Sequence, residues 1–259
     1  MKSIQNYLSK QTLRKVPEVI ALFWITKLLT TAMGESTSDF LVHTIDPVIA
    51  VAIGAVGFGI GILLQFRAKK YNAWIYWFIV AMVALFGTMA ADIVHIVLGV
   101  PYVVSTIAFS IALALVFLIW FKTEHTLSIH SINTPKRELF YWLTVVTTFA
   151  LGTAAGDTTA VTLSLGYLHS GFLFGVLFIA PLLLYKLTNK YEVFTFWFAY
   201  IMTRPLGASF ADWFGRTPDL GGLGFGTGRT SIVLAILILL LVFYLSASKI
   251  DTKSHVDTK

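Results

Sequence analysis

Residues 24–39 read WITKLLTTAMGESTSD, and the same skeleton returns as WFIVAMVALFGTMAAD at 77–92, WLTVVTTFALGTAAGD at 142–157 and WFAYIMTRPLGASFAD at 197–212. Each copy sets a glycine ten residues after a tryptophan and an aspartate five residues after that glycine. Given the composition, the chain's seven tryptophans would yield about 0.02 such matches by chance, and four occur. From each aspartate to the next basic cluster (Asp39 to Lys69, Asp92 to Lys122, Asp157 to Lys186) is about 30 residues, room for one returning helix. The fourth copy is longer, with a glycine-rich insert at Asp219–Gly228. The spacing predicts four helical hairpins, at approximately 16–70, 71–122, 137–190 and 191–249, within a single membrane domain spanning 1–259. All four point the same way, as in parallel repeats related by an axis along the membrane normal.

Composition fixes the solvent. The 259 residues are 57% hydrophobic and 12% charged, about half the charge of a soluble chain, with a mean hydropathy of +0.79. Such a chain cannot solvate its own surface as a water-soluble fold. Eight apolar runs reach the length that crosses a bilayer: Val16–Gly34, Val48–Phe66, Ala73–Ala91, Tyr102–Phe121, Leu139–Ala155, Tyr167–Tyr185, Phe194–Phe214 and Thr230–Leu245. The first reads as a retained helix rather than a leader. The fold expected is therefore all-α and polytopic, with eight transmembrane helices. Of 19 basic residues, 15 fall before span 1, between spans 2 and 3, 4 and 5, and 6 and 7, or after span 8. That bias predicts cytoplasmic N- and C-termini. The net charge of +6 is thus a topology signal, not a nucleic-acid footprint. With no cysteine, thiolate metal sites and thiol catalysis are excluded.

The chain resembles the bacterial integral membrane proteins built from four tandem two-helix repeats with one characteristic tryptophan per repeat. The resemblance is carried by Phe23 to Lys27, Gly34-Glu35 through Asp39, Thr148 to Asp157, and Thr203-Arg204-Pro205 through Asp212. It covers nearly the whole chain. It implies the fold and an inner-membrane location, and it implies no chemistry.

Four positions recur and need a reading. Each glycine is followed four residues later by a small residue (Gly34/Ser38, Gly87/Ala91, Gly152/Gly156, Gly207/Ala211), a spacing that lets helix backbones approach closely. The tryptophans open the odd spans, where an interfacial aromatic belt is expected. Thr30, Thr148 and Thr203 share one register, with Val83 in the second copy. Asp39, Asp92, Asp157 and Asp212 lie roughly 30–36 Å of helix beyond the preceding basic residues, near the far boundary of an apolar slab about 30 Å thick. There they are expected either to cap the returning helices or to form an acidic ring that coordinates a cation.

Single residues break the pattern. Lys27 and Arg204 lie roughly 18 and 21 Å past Lys15 and Lys190, inside the hydrocarbon, where a charge turns toward a partner or a wet cavity. Lys27, Thr31 and Gly34 share one helix face, and Arg204 and Gly207 share the corresponding face of span 7. The candidate binding residues are therefore Lys27, Thr31, Glu35, Asp39, Asp92, Asp157, Arg204 and Asp212. A metal would be expected on Asp39, Asp92, Asp157 and Asp212, with His43 and His95, three or four residues after an aspartate, as added ligands.

No catalytic motif stands in a supporting context, so no enzymatic activity and no cofactor are expected. The leading expectation is a transporter, import or export undecided, of a hard, oxygen-liganded metal cation in the bacterial cytoplasmic membrane. The alternatives are an anion or proton-coupled solute permease centred on Lys27 and Arg204, and a non-transporting membrane scaffold. The partners expected are the lipid bilayer, a small ion or solute and a second copy of the chain in a homo-oligomer, with no nucleic acid.

Overall fold

The computed structural model describes residues 14–252. Lys2, Lys10, Lys253 and Lys259, four of the residues that set the charge bias, lie outside them. Among the described residues the chain forms eight α-helices and no strand: α1 (Ala21–Thr44), α2 (Pro47–Arg67), α3 (Ala73–Asp92), α4 (Tyr102–Glu124), α5 (Pro135–Asp157), α6 (Gly166–Thr188), α7 (Glu192–Gly215) and α8 (Thr227–Ser248). Six of them are long and apolar enough to cross a membrane. The exceptions, α1 and α7, have 24 residues each but carry Lys27, Glu35 and Asp39, and Glu192, Arg204 and Asp212.

Local chemistry sets the helix starts. Asp46 accepts from the amides of Val48 and Ile49 at 2.9 and 3.3 Å and precedes Pro47 at the head of α2. Asn72 and Thr134 cap α3 and α5 in the same way. The repeated aspartates cap nothing. Asp39 lies in the penultimate turn of α1 and Asp212 in the last turn of α7, while Asp92 and Asp157 end α3 and α5 just before a wide π-helical turn, Ile93–Val97 and Thr158–Thr162. The first apolar run is also displaced. Residues 16–20 precede the helix, which starts at Ala21 and continues ten residues past Gly34.

Helices α1, α3, α5 and α7 form a closed inner ring in which each packs on the next and α7 returns to α1. Helices α2, α4, α6 and α8 lie outside it. Each seats chiefly on the inner helix of the following repeat, α2 on α3, α4 on α5, α6 on α7 and α8 on α1. The two helices of one repeat are therefore not each other's main partners. Sequence spacing shows that two helices are consecutive, but it does not show which neighbour covers an apolar face.

The ring closes by a repeated handshake. The aromatic residue before each tryptophan packs on the tryptophan of the next repeat: Phe23 on Trp77, Tyr76 on Trp142, Tyr141 on Trp197 and Phe196 on Trp24, with ring centres 5.7, 5.8, 6.0 and 5.7 Å apart. Each such pair adds roughly 0.5–1.5 kcal/mol beyond area burial. Trp77, Trp142 and Trp197 are buried, so they form a core wheel and not a surface belt. The glycines repeat the handshake higher up. A Cβ at Gly34, Gly87, Gly152 or Gly207 would overlap Ala84, Phe149, Arg204 or Thr31, the residue seven after the tryptophan of the next repeat. Glycine is required because the inner helices touch there.

The wheel end is tied down further. The amide of Glu18 donates to the Asp251 carbonyl at 2.8 Å, and Lys15 and Gln65 both reach the buried Glu138, at 2.6 and 2.9 Å. The Tyr71 hydroxyl donates to Asp251 at 2.5 Å, and burial raises the pKa of both groups. The segments before α1 and after α8 thus meet at one end of the ring.

Candidate functional site

Counting from each tryptophan, the residues at three, seven, eleven and fifteen places on recur every four positions and stack into layers inside the ring. The first layer holds Lys27, Val80, Val145 and Tyr200. The Lys27 amine is fully buried without a hydrogen-bond partner, 4.1 and 4.5 Å from the ring centres of Phe149 and Tyr200. Above it lie Thr31, Ala84, Phe149 and Arg204. The Arg204 guanidinium sits 5.6 Å from the same Phe149 ring.

The third layer holds Glu35, Thr88, Thr153 and Ala208. Its first three members all meet Arg204 Nη2: Glu35 at 2.6 Å, Thr153 at 2.8 Å, and Thr88 in close contact. Three repeats thus contribute equivalent positions to solvate an arginine from the fourth. These acceptors offset part of the desolvation cost of the buried Glu35–Arg204 pair, while Arg204 Nε and Nη1 stay buried without a partner.

The four aspartates form the last layer. Asp39 and Asp212 are buried, and Asp92 and Asp157 are half-buried. Arg216 bridges the first two, with Nη2 2.8 Å from Asp39 Oδ2 and Nε 3.0 Å from Asp212 Oδ1. Burial works against its charge, but Asp212 and Asp39 outweigh that and push its pKa up. Among the described residues, Asp92 and Asp157 make no ion pair. Glu35, Asp39 and Asp212 each offer an oxygen within 4.8 Å of the others, the spacing of a metal-ligand group. A crevice lined by Glu35, Thr153, Asp157, Tyr167 and Asp212 leads to it, too narrow in this conformation for a water molecule.

The structure thus brings together six of the eight candidate binding residues, and Lys27 lies apart from them, against Phe149 and Tyr200. Thr31 stands apart. Its hydroxyl donates to the carbonyls of Leu28 and Thr203, and its side chain seats Gly207. The histidines are not part of the cluster. His43 is exposed, with Nδ1 2.6 Å from the Asp39 carbonyl one turn back on its own helix. His95 lies against Tyr102 and near the Val100 carbonyl. Thr30, Thr148 and Thr203 bond carbonyls of their own helices. Arg216, Thr88 and Thr153 were not anticipated. The threonines were detectable through their shared register with Glu35, and Arg216 through its position one turn after Asp212.

The fourfold recurrence of wheel, glycine and aspartate is also a family signature. The sequence matches the Repeat of Unknown Function (DUF347) at residues 22–71, 75–126, 140–191 and 195–251. The chain belongs to this family. Each DUF347 match holds one tryptophan-to-aspartate skeleton, so the four aspartates are repeat features. Lys27, Glu35, Arg204 and Arg216 occur once each and are particular to one copy. No curated protein and no solved structure matches the chain.

Proposed function

We propose that the chain is a multi-pass membrane transporter for a small hard cation, with the carboxylate layer as its binding site. The apolar side chains exposed along the outer helices, among them Val48, Val56, Leu118, Val176 and Leu240, suit contact with acyl chains. The basic residues cluster at the wheel end. By the positive-inside bias that end is cytoplasmic, the carboxylates face outward, and the four repeats surround an axis along the membrane normal. A bacterial cytoplasmic membrane is the setting that fits.

The observation that carries the reading is the charge imbalance. Five carboxylates (Glu35 and the four aspartates) meet two basic groups (Arg204 and Arg216), and among the described residues two of the aspartates make no ion pair. Uncompensated charge at such a site is expensive, and a cation is the ligand that relieves it. Six-coordinate Mg²⁺-like ions have bonds of about 2.1 Å, so their oxygens lie about 3.0–4.2 Å apart. The Glu35–Asp39–Asp212 group reaches that by a small contraction once Arg216 leaves Asp39 and Asp212 and Glu35 turns from Arg204. A donor set of oxygens alone suits Mn²⁺ or Mg²⁺ rather than soft ions. The anion alternative is weaker, because Arg204 and Arg216 are already paired and aromatic rings cover the Lys27 amine.

The test is Mn²⁺ entry into proteoliposomes, read by quenching of a trapped fluorescent chelator. Replacing both unpaired carboxylates, Asp92→Asn with Asp157→Asn, is expected to slow entry at least about tenfold while leaving the melting temperature unchanged. Undiminished entry after Asp39, Asp92, Asp157 and Asp212 are all replaced by Asn would overturn the reading.

A further inference from the structure

Lys27 takes no part in the carboxylate site, yet its surroundings constrain it strongly. Its amine is buried, has no hydrogen-bond partner, and is enclosed by the faces of Phe149 and Tyr200. The aromatic faces return only part of the hydration it has lost. The groups recorded around it are the rings of Phe149 on α5 and Tyr200 on α7, with the Arg204 guanidinium of α7 over the same Phe149 ring, while the phenols of Tyr76 on α3 and Tyr141 on α5 are committed to each other. Helix α8, which also packs on α1, carries no acidic residue. The nearest carboxylate in register is Glu35, eight residues further along α1, and it is committed to Arg204 at 2.6 Å. Two cations therefore lie against one aromatic ring, 4.1 and 5.6 Å from its centre, with a single carboxylate that is bonded to Arg204 alone. Arginine keeps its proton under all physiological conditions, whereas a lysine ammonium can give its proton up.

We infer that Lys27 is a proton carrier and that the protein exchanges its cation for a proton held on the Lys27 amine. The inference rests on the cation reading above and names its counter-ion. Glu35 links the two events. With the site empty it neutralises Arg204. A cation held by Glu35, Asp39 and Asp212 draws the carboxylate away, so the Arg204 charge beside Phe149 is left uncompensated near Lys27. The ammonium then releases one proton to water and keeps the nitrogen lone pair. When the cation leaves, Glu35 returns to Arg204 and the amine takes a proton back. No bond other than N–H is made or broken, and one proton moves per cation.

The experiment uses the purified full-length protein in weakly buffered detergent solution. Mn²⁺ binding is followed by loss of the free-ion paramagnetic resonance signal, and proton release by a pH indicator. The wild type is expected to release about one proton more per bound Mn²⁺ than Lys27→Met. Lys27→Arg keeps the charge without the exchangeable proton. It is expected to bind Mn²⁺ at least about tenfold more weakly than wild type, and it decides the question if the methionine variant does not fold. Equal proton release by wild type and Lys27→Met, or wild-type affinity in Lys27→Arg, would overturn this inference alone. Failure of the wild type to bind Mn²⁺ would overturn the cation reading and this inference with it.

Discussion

Arg216 occupies the space a cation would take. Its guanidinium rests on Asp39 and Asp212, two of the three carboxylates whose oxygens converge, and the glycine-rich insert holds it there. The amide of Gly224 donates to the Arg216 carbonyl at 2.8 Å, and a Cβ at Gly222 would overlap that carbonyl. The insert is thus a clasp on the end of α7, not a phosphate loop. Removing the tethered competitor by Arg216→Gln is expected to tighten Mn²⁺ binding about tenfold, worth about 1.4 kcal/mol, in a calorimetric titration. Weakened binding would make Arg216 a support of the site instead of its competitor. Lys27, Glu35, Arg204 and the aspartates were legible because buried charge is costly enough to mark a site. Arg216 was passed over because it lies just beyond the apolar run: its pairing with Asp212 one turn back could be read from the spacing, but its reach to Asp39 on α1 depends on closure of the ring. His43 looked like a ligand because it is close in sequence to Asp39. One helical turn, however, places its ring on the Asp39 carbonyl rather than on the carboxylate.

Among the elements, the helices themselves were legible from apolar length, and the repeat from its tryptophans. What the spacing could not supply was the partner of each outer helix. Residues 37 and 231 make the point, since they belong to the first and last repeats and their hydroxyl oxygens lie 2.5 Å apart, joining α1 to α8. The chain has no cysteine to interfere. Thr37→Cys combined with Ser231→Cys is therefore expected to form an intramolecular disulfide on mild oxidation, seen as faster migration in a non-reducing gel. Four self-contained hairpins without closure of α8 onto α1 would leave both thiols free. The tryptophans were misplaced as a surface belt because a membrane boundary and a packed wheel both favour aromatic rings. The deciding feature was the aromatic residue before each tryptophan, which needs a partner from the next repeat.

At the scale of the molecule, a fourfold scaffold carries a site that is not fourfold. Wheel, glycine contacts and aspartates repeat in every copy, and they build a ring tied shut at one end and acidic at the other. Set into that frame are single-copy charges, Lys27 and Glu35 from the first repeat and Arg204 and Arg216 from the fourth, and the pairs Glu35–Arg204 and Asp39–Arg216 form only because the ring closes. The account therefore depends on where a hard cation binds. Anomalous diffraction at the manganese absorption edge, from crystals of the protein soaked in Mn²⁺, locates it directly. A single peak among Glu35, Asp39 and Asp212, with Arg216 displaced, is the predicted result. A peak only at surface carboxylates outside the ring, or an undisturbed Arg216 bridge with no peak beside it, would contradict the account.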